Sequence, residues 1–390
     1  MKLSVKVRAK PRIVVVFNRD FEGAEADPEN KAREDIRGIA ENIVRILDGA
    51  GYDSSDLGIT GDVFGAISEI KARRPEAVFN LCESIQGDNR FEALLPLLFE
   101  QQGIAYTGSS SFALSLALRK DKVKEVLRAR GLPVPQGMLV ADEDISGVNL
   151  RFPLMVKPSR EDASVGISSA SVVHDRAALA ERVRYVLRHY QQPAVVEEYI
   201  EGREIYVSLL GRLTEKPQIF PFFEIDFSDM PADRPRIVSF EAKWVEESVE
   251  YRGTRPVRCE GLTSALRQKI ADTALAAFEA IGLRDYGRMD VRLHADGTPY
   301  LIDVNPNCDL SDLAGGFSKA ARAGGLSYKD VILRIVALAL SRRPHADTIP
   351  IAPRSRSAGA AHRTAGNGQS VPGGGSVMRA RAPRGGAGSA

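Results

Sequence analysis

The segment YGRMDVRLHADGTPYLIDVNPN, residues 286–307, constrains the fold more than any other part of the chain. Asp296-Gly297 stands between two runs of alternating apolar and polar residues, which is a strong signal for a β-hairpin. Folding about this turn sets apolar residues opposite one another on one side of the ribbon: Met289 with Val304, Val291 with Ile302, and Leu293 with Tyr300. The pattern predicts a hairpin with one face in a core and the other face available for chemistry.

The second face of this hairpin carries charged and amide side chains. The same pairing sets Asp290 opposite Asp303, and Arg288 opposite Asn305. Two opposed carboxylates repel each other and need compensation. A divalent cation such as Mg²⁺, which prefers carboxylate and amide oxygens, would supply it. A solvated face on which Arg288 and Arg292 neutralise the acids is the alternative.

Strand and helix patterns alternate over roughly the first 115 residues, which favours a parallel sheet. The predicted strands are residues 13–17, 77–81 and 104–107, and the predicted helices are 36–47, 91–102 and a basic helix at 120–130. The middle of the chain predicts an α+β unit on a mostly antiparallel sheet, with strands at 153–157, 167–173, 194–199 and 204–210 and a helix at 176–188. A long helix follows from an N-cap at Thr263 to Gly282, and the last helix starts at Ser327 and ends near Arg342-Arg343.

Composition excludes several classes of protein. With 390 residues and a net charge of +2, the chain shows no overall field that attracts nucleic acid or membrane. Three separated cysteines exclude a disulfide framework and indicate a reducing, cytoplasmic setting. No apolar run is long enough to span a bilayer. Residues 344–390 are rich in Gly, Ala and Arg and build no core, so the sequence predicts a disordered basic tail.

Two further segments point to a phosphate-bearing ligand. Lys157 ends an apolar strand, and the small-residue loop after it, up to Gly166, can turn backbone N–H groups toward phosphates. Lys122 in the basic helix is a second candidate, although such a lysine is usually just solvated. Residues 197–204 offer Glu204 to ribose hydroxyls and Tyr199 with Ile200 to a base, unless they form only a charged strand and turn. Neither GxxxxGK[ST] nor a GxGxxG that opens a helix after a strand occurs.

Taken together, these motifs resemble the ATP-grasp superfamily and, within it, the D-alanine–D-alanine ligase family. The resemblance covers residues 11–343 and rests on six stretches in family order: YTGSSSFALSLALRKDK (106–122), GLPVP (131–135), FPLMVKPSRE (152–161), EEYIEGRE (197–204), GRMD (287–290) and LIDVNP (301–306). It implies an ATP-grasp fold of α/β and α+β class, with an N-terminal parallel-sheet domain (1–117), two α+β subdomains that enclose ATP (118–205 and 206–343) and the tail (344–390).

The resemblance also implies a reaction and its residues. A donor carboxylate attacks the γ-phosphate of ATP, and an amine then displaces phosphate from the acylphosphate. The implied nucleotide-binding residues are Lys122, Lys157, Ser164, Glu197, Tyr199, Ile200 and Glu204. Asp290, Asp303 and Asn305 are implied ligands of two Mg²⁺ (or Mn²⁺) ions, and Arg288, Lys157 and Lys243 are implied catalytic residues. Small-molecule acid and amine substrates and a homodimer are the family's habit, with no nucleic acid or membrane partner.

The chain departs from the family pattern mainly around the substrates. Asp303 replaces a glutamate, Ala163 a serine and Trp244 a tyrosine, on a segment that resembles the family's closing loop. Asp309 stands where a substrate-binding glycine is usual, and Cys82 where a histidine is usual. Glu34 is the candidate that would meet the donor's amino group. We therefore expect a ligase with an altered substrate pocket; an authentic D-alanine–D-alanine ligase and an idle ATP-binding module are the alternatives.

Overall fold

The computed structural model describes residues 10–19 and 28–342, and for residues 28–35 it describes the backbone alone. The N-terminal part contains a three-stranded parallel sheet in the order β2-β1-β3. Its elements are β1 (Arg12–Asn18), α1 (Pro28–Gly49), β2 (Asp53–Ile59), α2 (Val63–Arg73), β3 (Ala77–Asn80), α3 (Leu94–Gln102) and α4 (Ser111–Ala117). The predicted parallel sheet is confirmed.

Two predicted elements of this part are wrong in detail. Residues 104–107 form no strand, because only Tyr106 bridges to Val78. The third strand is β2, which the sequence did not suggest, since DSSDLGI has few apolar residues. The helix predicted at 91–102 begins later, at Leu94, after a short 3-10 turn over Asn89–Phe91.

The central part is a four-stranded antiparallel sheet with the order β4-β7-β5-β6. It follows helix α5 (Lys120–Ala129) and consists of β4 (Gly137–Val140), β5 (Leu154–Pro158), β6 (Val172–Val173), α6 (Arg176–His189) and β7 (Ala194–Glu198). Helix α6 packs on the sheet through Leu179, Val183 and Val186, all fully buried. The strand predicted at 167–173 shrinks to β6, because residues 169–171 form a 3-10 turn.

The third part is a six-stranded sheet with the path β11-β10-β8-β12-β13, and β9 pairs with β8. Its elements are β8 (Arg203–Gly211), β9 (Gln218–Ile219), β10 (Phe223–Asp226), α7 (Phe240–Trp244), α8 (Val249–Arg252), β11 (Arg255–Arg258), α9 (Ser264–Ile281), β12 (Asp285–Leu293), β13 (Pro299–Asn305), α10 (Gly316–Ala323) and α11 (Tyr328–Leu340). As predicted, Thr263 caps α9 by accepting from the N–H of Leu266, and Gly282 ends it in the left-handed conformation.

The hairpin β12–β13 has the predicted register only in the half far from its turn, from Arg288 to Asp290. Arg288 pairs with Asn305, Met289 with Val304 and Asp290 with Asp303. Ile302 then forms a bulge without a partner, so Val291 faces Leu301 and Leu293 faces Pro299. The bulge shifts the register next to the turn by one residue, which simple pairing about the turn cannot anticipate.

One face of β12 packs into the hydrophobic core, and the opposite face carries charged side chains. Met289, Val291 and Leu293 pack into the core with α9. Arg288, Asp290 and Arg292 alternate with them and therefore share the opposite face. Among the residues described, no helix is long and apolar enough to cross a membrane.

Candidate active site

Arg288 and Asp290 form a two-pronged ion pair on the polar face of β12. Nε and Nη2 of Arg288 donate to the two carboxylate oxygens of Asp290 at 2.7 and 2.8 Å. The guanidinium also lies 4.5 Å above the ring of Tyr206. Burial opposes the charge on Arg288, but Asp290 outweighs burial and raises its pKa. In the absence of ligand, the arginine thus compensates one of the two opposed carboxylates.

Asp303 and Asn305 face Asp290 from β13. The amide Nδ2 of Asn305 donates to Asp290 at 3.2 Å, and Asp303 lies 3.7 Å from the ammonium of Lys120. Burial raises the pKa of Asp303, but Lys120, Lys157 and Lys124 outweigh it and hold the pKa at about 2. The carboxylate therefore stays charged at neutral pH.

These oxygens suit a metal that arrives with a phosphate. Within the described ranges, no three His, Cys, Asp or Glu side chains gather into a complete metal cage. The hairpin instead offers two carboxylates and one amide oxygen, and Mg²⁺ typically combines one or two carboxylates with water and substrate phosphates. The donor set therefore fits Mg²⁺ bound together with a nucleotide.

Three buried lysines converge beside Asp303. Lys120, only 5% exposed, lies 2.9 Å from Asp162, and Lys124 and Lys157 lie 3.1 and 2.8 Å from the two oxygens of Glu197. Burial lowers the pKa of Lys124 to about 8, with Glu197 opposing that effect. For Lys120, burial is outweighed by Asp162 and Asp303, which raise its pKa. In the ligand-free protein, three carboxylates (Asp162, Glu197 and Asp303) balance these three cations.

Lys122, the lysine predicted to contact phosphate, lies outside this cluster. Its side chain is half exposed and pairs with Glu125 at 2.8 Å. Lys120 and Lys124 are four residues apart on α5, and both are buried on the side of Val123. Lys122 falls on the other side of the helix, so Lys120 and Lys124, rather than Lys122, lie in the buried cluster.

The acids predicted for the nucleotide are buried and already partnered. Glu197, 3% exposed, holds Lys124 and Lys157, which lower its pKa against the effect of burial. Glu204, 5% exposed, accepts from Arg292 at 2.7 Å and from the hydroxyl of Tyr206 at 3.1 Å. Ile200 is half-buried just after β7. Glu197, on β7, thus belongs to the lysine cluster, whereas Glu204, on β8 of the other sheet, pairs with Arg292.

A segment that we call the lid, residues 236–244, covers the loop after Lys157. Ser164 donates its hydroxyl to the carbonyl of Val238 at 2.8 Å, and Trp244 Nε1 donates to the carbonyl of Ala163 at 3.1 Å. Ala163 and Ser164 both have positive φ, of 52° and 65°. Lys243 lies on the lid, and burial together with Arg288 lowers its pKa. The predicted closing loop therefore packs directly on residues 158–166, the loop after Lys157, which we call the serine loop.

The surroundings of Asn307, just after β13, contain a buried acid that the sequence did not single out. Glu92 accepts from Asn307 Nδ2 at 2.8 Å, and burial and Asp162 raise its pKa well above the usual value. Asn307 also donates to the carbonyl of Cys82, whose side chain is fully buried. No local pattern marks Glu92, because its burial comes from packing between distant segments.

Asp309 does not project freely into this region. It is exposed, and its two oxygens accept from the backbone N–H and the hydroxyl of Ser311 at 2.7 and 2.9 Å. Its carboxylate thus caps its own loop. Glu34 lies in α1, and its side chain falls outside the described residues.

Comparison with known proteins gives the same class of protein as the site. Residues 126–337 match the family described as D-ala D-ala ligase C-terminus. A D-alanine–D-alanine ligase of Chromohalobacter salexigens is 30% identical over 84% of this chain and 94% of its own length. An uncharacterized protein of Sinorhizobium fredii, y4sG, is 34% identical over 85% of this chain and 97% of its own length.

The fold agrees with a solved structure as well. The D-alanine–D-alanine ligase of Bacillus anthracis in complex with ATP superimposes with a TM-score of 0.66 at 21% identity, covering 85% of this chain and 98% of that one. The molecule is thus an ATP-grasp enzyme, an ATP-dependent ligase that forms carbon–nitrogen bonds. Within that class, the chain belongs to the D-alanine–D-alanine ligase family.

Proposed function

We propose that this enzyme joins the carboxylate of one small molecule to the amine of another through an acylphosphate, with a substrate pocket that differs from that of D-alanine–D-alanine ligase. The observation that carries the proposal is the convergence of Lys120, Lys124 and Lys157 beside Asp303. This cluster supplies fixed positive charge next to metal-binding oxygens, which phosphoryl transfer requires.

At the nucleotide end, the lysines bind the phosphates and Glu204 accepts from the ribose. Tyr199 and Ile200 line the base, and Ser164 lies in the loop over the phosphates. Asp290, Asp303 and Asn305 would hold two Mg²⁺ (or Mn²⁺) ions, which when bound neutralise phosphate charge. Since Arg288 occupies both oxygens of Asp290, we expect that ion pair to loosen as the site fills.

Different residues of the chain support the two steps of the reaction. The donor carboxylate oxygen attacks the γ-phosphorus and ADP leaves; the amine nitrogen attacks the acyl carbon and phosphate leaves. Arg288 stabilises the oxyanion that develops on the acyl oxygen. Lys243, which makes no hydrogen bond or ion pair within the described part of the chain, contributes positive charge from the lid. The lid excludes water, which protects the acylphosphate from hydrolysis.

The altered pocket is supported by what the substituted residues do. Ala163 offers no hydroxyl and uses its carbonyl to accept from Trp244. Cys82 is fully buried and carries no imidazole toward a substrate. Glu92 adds a buried carboxyl near Asp162. A site built for one set of polar groups rejects substrates that leave those groups unpaired, which commonly costs orders of magnitude in kcat/KM.

The test is phosphate release from ATP and Mg²⁺ with a panel of amino-acid donors and of amines with and without a carboxylate. We expect D-alanine pairs to be poor substrates and at least one other pair to be turned over efficiently. Efficient D-alanyl-D-alanine synthesis would refute the altered pocket and leave the ligase reaction intact. ATP binding without turnover on any pair would favour the idle module.

A further inference from the structure

Arg292 is a buried cation that the proposed reaction does not use. It is 3% exposed and lies on the polar face of β12, two residues beyond Asp290. It pairs across the strands with Glu204, the residue assigned to the ribose, at 2.7 Å. A buried charge of this kind needs several hydrogen bonds to offset its desolvation.

The remaining donors of Arg292 reach two backbone carbonyls. Nη1 donates to the carbonyl of Gly202 at 3.1 Å, and Nη2 donates to the carbonyl of Arg236, the first residue of the lid. The hydroxyl of Tyr199 donates to that same carbonyl at 3.2 Å. The guanidinium also lies 5.6 Å from the ring centre of Tyr199 and 5.7 Å from that of Phe227.

The guanidinium of Arg292 therefore contacts Glu204, which we assign to the ribose, Tyr199, which we assign to the adenine base, and Arg236 at the start of the lid. Farther along, the lid is tied to the serine loop by the bonds of Val238 with Ser164 and of Trp244 with Ala163. Arg292 is the tie on the nucleotide side. Arginine suits this task, because its planar fork spreads five donors over three nitrogens, whereas the three donors of lysine share one nitrogen.

We propose that Arg292 is a positioning residue that couples nucleotide binding to closure of the lid. It orients Glu204 for the ribose hydroxyls and, with the same guanidinium, holds the carbonyl of Arg236 at the lid's first residue. The nucleotide part of this role rests on the function proposed above, whereas the tie to the lid is a property of the protein without ligand.

The test uses Arg292→Lys, which keeps a positive charge for Glu204 but replaces the two donor nitrogens that reach Gly202, Glu204 and Arg236 by one. Lid opening is read by limited trypsin digestion of the full chain. Trypsin cuts after Arg236, which precedes Ile237, but not after Arg234, which precedes proline. Trp244 is the only tryptophan, so acrylamide quenching of its emission reports on the lid independently.

We expect Arg292→Lys to speed cleavage after Arg236 and quenching of Trp244 several-fold without ligand. We also expect it to raise the Kd for ATP by about tenfold, the loss of roughly one charge-assisted hydrogen bond, with a smaller change in kcat. Arg203→Lys is the matched control, because Arg203 on β8 pairs with Glu224 away from the lid. Arg203→Lys should leave the rate of cleavage after Arg236 and the quenching of Trp244 at wild-type values.

Tyr199→Phe removes the second donor to Arg236 and should speed cleavage after Arg236 by a smaller factor. This variant also decides the matter if Arg292→Lys melts far below the wild type. Unchanged cleavage and quenching in a folded Arg292→Lys, or in Tyr199→Phe where the lysine variant does not fold, would overturn the proposal. A wild type that binds no ATP would refute the proposed function, while the ligand-free cleavage rates still test the tie.

Discussion

The proposed nucleotide end and the proposed substrate end of the site are built differently. At the nucleotide end, Lys157, Glu197, Glu204 and Arg288 are fixed on strands of two sheets and each is paired with an opposite charge. At the substrate end, Ala163 and Asp309 lie on loops, and their polar groups bond to neighbouring loop or lid atoms. The strands carry much of the GRMD and LIDVNP motifs, and the departures lie outside strands with the exception of Asp303 on β13.

This difference implies that one set of residues determines the reaction and another set determines substrate selectivity. Charged groups on rigid strands are preorganised for phosphate chemistry, which needs positioning and electrostatic stabilisation. Loops can change residue by residue without disturbing that framework, and in many folds they carry specificity. Substitutions at the nucleotide end should therefore abolish turnover, while substitutions at the substrate end should alter selectivity by smaller factors.

The largest effect is expected for Asp303→Asn. Removing one charge from the hairpin weakens the oxygen site that fits Mg²⁺ and leaves Lys120 without one of its two acids. Turnover should fall by about 100- to 1,000-fold, corresponding to several kcal/mol of charge stabilisation. Asp296→Asn, on the turn of the same hairpin, keeps a favourable turn residue and serves as control. Wild-type turnover of Asp303→Asn at limiting Mg²⁺ would contradict the metal assignment.

Lys120→Met and Lys122→Met form a matched pair on one helix. Lys120 is buried beside Asp303, and Lys122 is half exposed beside Glu125. We expect Lys120→Met to lower kcat/KM for ATP by about 100-fold, as for loss of one preorganised donor. Lys122→Met should stay within about twofold of the wild type. Steady-state kinetics over a range of ATP concentrations measures both, and the reverse order would restore the sequence-based assignment.

Lys120 and Lys122 also show which parts of the site can be predicted from the sequence. The opposed pairs Asp290–Asp303 and Arg288–Asn305 were predictable, because alternation and the Asp-Gly turn set the register near them. The choice of Lys122 stays a prediction, but the helical period favours its neighbours: Val123 and Leu127 are buried, and Lys120 and Lys124 share their side.

Other features could not be predicted from local patterns. The bulge at Ile302 depends on how β13 fits β12 rather than on turn chemistry. Glu92 is buried and accepts from Asn307, which lies more than two hundred residues away in the sequence. The role of Arg292 depends on Arg236, more than fifty residues earlier in the chain. Contacts of this kind arise from tertiary packing, which no single segment encodes.

The pH dependence of ATP binding should report on Lys124. Burial lowers its pKa to about 8 from an ordinary value of 10.5, so the ligand-free site loses this positive charge as pH rises through 8. The Kd for ATP should therefore increase by up to about tenfold between pH 7.5 and 9. Lys124→Arg stays protonated over this range and should lack the increase. Calorimetric titration at each pH measures it; a wild-type Kd that is flat to pH 9 would show that Lys124 does not contribute charge to the site.

The smallest effect is expected for Asp309→Asn. A free carboxylate at this position would repel an acceptor's carboxylate, and its removal would then favour D-alanine and other amino acids. In the structure, both oxygens of Asp309 are taken by the N–H and hydroxyl of Ser311, and the side chain is exposed, so water screens its charge. Asparagine keeps an acceptor for Ser311 and should preserve the loop. We expect the ratio of kcat/KM for carboxylate-bearing and carboxylate-free amines to change by less than about twofold. A change of tenfold or more would mean that Asp309 turns toward the acceptor during the reaction, and would place selectivity in this loop rather than in Ala163 and its neighbours.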